Sequence, residues 1–198
     1  MKRISADTKV SIVAGFQEYE DGFILNTVAL VAPKRETFFY RKCHLDGDEE
    51  KAHFTPSALA PTIFKLGGMN VGMLICYDVK FAEMVRGLAI VGADLIIVPT
   101  ALPAGSASAR ISKYVVPVRA QENHVFLAYA DLCGKERETN YQGGSVLVGP
   151  DGEDIVPTVL KPAMLLAQVR SDAIMRTKSE NIYSAERLPA IYSQFQYL

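Results

Sequence analysis

The stretch NVGMLICYDVKFAEMVRGLAIVGADLIIVPT, residues 70–100, decides how this chain folds. Its first part, through Ile75, is an almost uninterrupted apolar run, the pattern of a strand covered on both faces. From Lys80 to Val91 the apolar residues Phe81, Met84, Val85 and Leu88 recur at helical spacing, and Gly92 supplies a stop. ADLIIVPT, residues 93–100, then returns as a short buried strand. Strand, helix and strand in that order predict a right-handed crossover between parallel neighbours in an α/β fold. Such folds place their sites at the carboxyl ends of the strands. Cys76 stands at one of those ends.

Upstream, KVSIVAGF (9–16), FILNTVALVA (23–32) and ETFFYRK (36–42) read as successive β segments, with turn chemistry at Glu20-Asp21-Gly22 and around Pro33. His44 to Ala60 is polar and charged, which predicts a long surface loop before the short strand TIFKL. Downstream, a Gly/Ser/Ala-rich loop from Leu102 to Ala109 leads to a predicted helix around Tyr114 to Asn123. The strand VFLAYAD (125–131) and a hairpin in GGSVLVGPDGEDI (143–155) follow. Tyr183, Tyr192, Phe195 and Tyr197 give the tail, about 176–198, more aromatic surface than a solvated tail requires, so it is expected to pack on the body or on a partner subunit. No repeat or linker divides the chain, and 1–198 reads as a single domain.

Composition narrows the function. Of 198 residues 49% are apolar, enough for a sizeable core. Lysine and arginine number 21 against 22 aspartates and glutamates, so a net charge of -1 gives no pull toward nucleic acid or an anionic membrane, and a compact neutral ligand fits better. Cys43, Cys76 and Cys133 are irregularly spaced without a CxxC pair, which argues against a disulfide framework or a zinc site and for reduced cytosol. The apolar run Val10 to Phe16 is broken by Ser11 and Gly15 and lacks signal-peptide features, and no stretch approaches the ~20 residues that span a bilayer.

Cys76 alone is compatible with a small core residue, since free cysteine is among the most buried types. Lys42 alone reads as a solvated strand end, and Glu49 and Glu50 as part of a hydrated acidic loop. Brought together they would mean more: an ammonium beside a thiol lowers its pKa and can hold the oxyanion formed when a thiolate attacks a carbonyl.

Three segments in order supply that combination. YRKCHLDGDEEKAHFTP (40–56) resembles the lysine motif of the nitrilase superfamily of carbon–nitrogen hydrolases, ICYDVKFAEMVRGLAIVGADLIIVPTA (75–101) its cysteine motif, and VRAQENHVFLAYAD (118–131) the segment that follows. Weaker resemblance runs from VAGFQEYEDGFILNTVALVAP (13–33) to ERLPAIY (186–192), so it covers almost the whole chain. The resemblance implies a four-layer α-β-β-α sandwich assembled as a homodimer or larger homo-oligomer, and hydrolysis of a small amide through a cysteine thioester without metal or organic cofactor. It implies Cys76 as nucleophile, Lys42 as catalytic lysine, Glu50 as the glutamate opening the substrate loop, and the Tyr77 N–H as oxyanion partner of Lys42. Arg119, Glu122, Asn123 and Glu83 take structural roles, and the loops Leu102 to Ala109 and Glu136 to Gly144 border the pocket.

One element of the family pattern finds no match. The glutamate serving as general base and acid lies near the start of that pattern, after a first strand and helix, whereas MKRISADTKVSIVAGFQE aligns further along, and Glu18 matches a different position. The sequence is therefore expected to lack an N-terminal part of the domain, leaving a sheet edge and apolar surface open. A catalytically silent binding or scaffold protein is the competing expectation.

Overall fold

The computed structural model describes residues 1–105 and 108–195. Helix α1 (Lys2–Thr8) precedes strands β1 (Ile12–Glu20), β2 (Phe23–Val31) and β3 (Phe38–Arg41), which form a three-stranded antiparallel sheet. Helix α2 (Gly47–His53) leads to β4 (Ile63–Leu66) and β5 (Met69–Met73), followed by a 3-10 turn at Cys76–Lys80, helix α3 (Ala82–Ile90) and β6 (Leu95–Thr100). Helix α4 (Ser108–Arg110), a π turn (Ile111–Val115) and α5 (Val116–Gln121) run into one another before β7 (Phe126–Asp131). Hairpin β8 (Cys133–Glu136) and β9 (Thr139–Gln142) stands apart, while β10 (Ser145–Val148) and β11 (Asp154–Val159) close the second sheet, and α6 (Ser171–Glu180) and α7 (Pro189–Tyr192) complete the chain.

The second sheet has six strands in the order β11-β10-β7-β6-β5-β4. Strands β5, β6 and β7 are parallel neighbours, as the strand-helix-strand pattern predicts, and their carboxyl ends fall side by side. On one face Gly72, Ile96 and Leu127 share a row, and α3 lies against it through Leu88. A β-carbon at Gly72 would stand 2.9 Å from the Leu88 methyls, so glycine sets the helix-to-sheet distance. On the other face the three-stranded sheet closes over the core: Phe38 stacks on Phe64 at 5.0 Å between ring centroids, and Val28, Leu30 and Tyr40 join Val71 and Met73 in one buried cluster.

Three local readings change. The expected loop from His44 to Ala60 contains α2, none of whose residues is buried, so no apolar period reveals it. Its signal is electrostatic: Asp48, Glu49 and Glu50 fill the first turn, Lys51 and His53 the last, and each complements the helix dipole. Helix α1 is likewise polar, docking through Ser5, whose hydroxyl donates to the Val31 carbonyl. The helix expected around Tyr114 already runs from Ser108. In the tail, the Tyr183 hydroxyl donates to the Gln121 carbonyl, tying it to the body; Tyr192 and Phe195 are exposed, and Tyr197 lies outside the described residues, as do residues 106 and 107 of the Leu102 to Ala109 loop. No helix among the described residues is long and apolar enough to cross a membrane.

Candidate active site

A cleft of about 910 Å³ opens at the carboxyl ends of the parallel strands, between them and the inner face of the three-stranded sheet. Cys76 follows β5, Thr100 ends β6, and Ala101 and Leu102 continue from it. Gly15 and Asn26 come from the facing sheet, Lys42 from the end of β3, and Glu49, Glu50 and His53 from α2. Arg137, Thr139 and Tyr141 of the β8–β9 hairpin line the remaining side, so segments from both loops expected at the pocket border it. Lys42 and Cys76, far apart in the chain, therefore face one space.

The backbone explains why the thiol is presented there. Cys76 has φ 45°, the left-handed region that L side chains rarely adopt, and opens the 3-10 turn directly after a strand. Asp78, fully buried two residues later, holds that bend. One of its oxygens accepts from Tyr40 Oη (2.8 Å) and from the Ile75 N–H (3.2 Å), and the other from the His44 N–H (3.1 Å) while lying 2.9 Å from His44 Nδ1. Because Tyr40 and His44 flank Lys42, this one carboxylate ties the cysteine turn to the lysine strand end. The His44 ring also stacks on Phe81, with centroids 3.7 Å apart. Arg119 closes the other end of the turn, donating from Nε to the Val79 carbonyl (3.2 Å) and from Nη2 to that of Lys80 (2.8 Å), while Nη1 pairs with Glu122 (2.9 Å). Asn123 donates to the Arg119 carbonyl. Glu83 is exposed in the first turn of α3 and has no ion pair among the described residues.

Lys42 is buried, its side chain 2% exposed, with Nζ 2.7 and 2.6 Å from the two Glu50 carboxylate oxygens. Glu50 also accepts from Asn26 Nδ2 (2.8 Å) and from the Asp46 N–H (2.5 Å). Both its oxygens are thus committed to fixing the lysine. Glu49 is exposed and makes none of these contacts, which separates the two adjacent glutamates. The Tyr77 ring sits edge-on to Phe81 and 4.6 Å from Lys80 Nζ, outside the cleft lining; its main chain is what adjoins Cys76.

Burial pushes the Cys76 thiol up to about 11, because a thiolate in an enclosed site loses its hydration. The Lys42 ammonium and the Ala101 N–H pull the other way, while the charges of Glu50 and Asp131 add to the rise. Burial likewise raises Asp131 to about 6. Reading the sequence alone misses Asp78, Asn26 and Asp131. Each carried a weak signal, since each interrupts or ends an apolar run: ICYD, FILNTVALVA and VFLAYAD. Among the described residues no three His, Cys, Asp or Glu side chains are placed to hold a metal ion.

Comparison with known proteins places this geometry. Residues 1–179 match the family described as Carbon-nitrogen hydrolase. A protein described as a hydrolase in the pqqF 5' region of Pseudomonas protegens is 34% identical over 186 residues, covering 92% of this chain and 64% of its own length. A nitrilase of Pyrococcus abyssi is 38% identical over 150 residues, 76% of this chain and 55% of the relative. This chain thus spans less than two thirds of either relative. Among solved structures, the amidase of Nesterenkonia sp. AN1 superposes with a TM-score of 0.80 at 33% identity, covering 93% of this chain and 70% of that one, in a form bound to butyramide. In another form of that amidase, acrylamide has added to the active-site cysteine.

Proposed function

Because this chain belongs to the carbon-nitrogen hydrolase family, within the nitrilase superfamily, we propose that it hydrolyses the C–N bond of a small amide with Cys76 as nucleophile. The convergence of Lys42 and Cys76 on one cleft, with Glu50 gripping the lysine, is the observation that carries this reading. The Cys76 thiolate attacks the amide carbon, and the oxygen that gains negative charge is received by Lys42 Nζ and the Tyr77 N–H. Collapse of this adduct expels ammonia or an amine, which takes up the proton that left the thiol, and leaves an acyl thioester. Water then adds to the thioester, releasing the carboxylic acid and returning the proton to sulfur.

A proton acceptor is indispensable to this sequence. Burial holds the Cys76 thiol well above its usual range, so without such an acceptor thiolate is scarce near neutral pH. Glu50, with both oxygens on Lys42 Nζ, is not free to be that acceptor. We read the two sheets and their helices as an α-β-β-α sandwich forming homo-oligomers. Exposed Leu188, Ile191 and Phe195 on the tail support an interface there.

Replacing Cys76 with Ala should abolish ammonia release from butyramide and acrylamide while leaving the thermal melt unchanged; turnover that survives would end the assignment. The elevated thiol pKa favours one other reading, a catalytically silent binding protein. That reading prevails if no amide turns over and iodoacetamide labels Cys76 no faster than Cys43 or Cys133.

A further inference from the structure

Behind the cleft, at the end of the third parallel strand, Asp131 is half-buried and takes no part in the chemistry above. Its Oδ1 accepts from the Leu102 N–H at 3.2 Å, while the next N–H, that of Leu132, goes to the Thr100 carbonyl at 2.9 Å. Its own N–H donates to Ser145 Oγ at 2.8 Å, and that hydroxyl donates back to the Asp131 carbonyl at 3.2 Å. Oδ2 faces Gly144, at φ 130°, where an added β-carbon would lie 3.4 Å from it. The carboxylate is thus anchored on β7 and grips the start of the Leu102 loop. One residue earlier in that loop, Ala101 lines the cleft together with Cys76, at the end of the strand next to the cysteine's own, and its N–H is among the influences that lower the thiol pKa.

We propose that Asp131 is a positioning residue for the nucleophile: by holding the Leu102 amide it presents the Ala101 N–H to the sulfur of Cys76. This rests on Cys76 being the nucleophile, and it assigns that amide, beyond Lys42 and Tyr77, as a third stabiliser of negative charge at the reaction centre. Among the described residues, the Asp131 charge raises the pKa of Cys76 and of Tyr129. Two effects on the thiol are therefore superimposed, and they have opposite signs. The negative charge of Asp131 raises the thiol pKa, whereas the amide it positions lowers it.

Substitutions separate the two. Asp131→Asn removes the charge but keeps an oxygen to accept the Leu102 N–H, whereas Asp131→Ala removes both. The readout is the pH-rate profile of Cys76 alkylation by iodoacetamide, followed by mass spectrometry, which requires no turnover. Asp131→Asn should react at least as fast as the unsubstituted protein at pH 8, and Asp131→Ala at least threefold slower than Asp131→Asn. Equal profiles for the two variants would overturn the proposal. Should Asp131→Ala fail to fold, NMR of the unsubstituted protein decides: the Leu102 amide shift should titrate with the Asp131 carboxyl carbon at one midpoint, and an unresponsive amide would refute the clamp. Activity surviving in Cys76→Ala would instead remove the nucleophile assignment and leave the clamp itself measurable.

Discussion

Two carboxylates, fully buried Asp78 and partly buried Glu50, hold the chain around Lys42, and their partners differ in kind. Asp78 is fully enclosed and meets the neutral donors of Tyr40 and Ile75 together with the main chain and ring of His44. Glu50, at 16% side-chain exposure, faces the cleft and gives both oxygens to an ammonium. The first arrangement fixes backbone; the second fixes a charge. A carboxylate satisfied by main-chain and hydroxyl donors holds two chain segments in register whether or not a substrate is present. One paired with lysine sets the position and electrostatics of the group that, in the proposed mechanism, meets an oxyanion, so its worth should show chiefly in the transition state.

The difference can be broken from either side. Of three substitutions away from the nucleophile, the largest effect is expected from Lys42→Met, which removes the cation proposed to meet the oxyanion and strands Glu50: kcat for a small amide should fall about 10²- to 10³-fold, the loss typical of an oxyanion donor. Cys76 alkylation should also shift to higher pH, since Lys42 is the main influence lowering its thiol pKa. If steady-state kinetics show kcat intact and only KM raised, Lys42 binds substrate and does no more. Asp78→Ala should act through stability instead, losing about 3 kcal/mol in urea unfolding because four donors lose their acceptor. A protein as stable as before would show that the turn holds itself. The smallest of the three is Gly72→Ala, far from both acids. Crowding against Leu88 should cost about 1–2 kcal/mol in the same unfolding measurement without changing the pH dependence of Cys76 alkylation. A changed dependence would mean that the α3 packing distance reaches the active-site turn.

Sequence reading recovered the parallel strands and the cysteine turn because their signal is apolar and local: NVGMLIC and ADLIIVPT can be little else than buried strands. It named Lys42 and Glu50 only through family resemblance, since nothing in YRKCHLDGDEEK reveals that the lysine is buried. The helix α2 escaped because it buries no residue, so charge order rather than hydrophobic period marks it. Asp78, Asn26 and Asp131 escaped for a different reason. Each is polar where the neighbouring pattern is apolar, and partners such as Glu50 for Asn26, Tyr40 and His44 for Asp78 and Leu102 for Asp131 lie remote in the chain, where periodicity within one segment cannot register them.

The left-handed backbone at residue 76 has a consequence for what this position tolerates. Glycine would adopt that conformation without the roughly 1–2 kcal/mol that a β-carbon costs there. Selection for folding alone would thus drift toward glycine at this position. Holding a thiol on this bend carries that cost, which the proposed role as nucleophile requires.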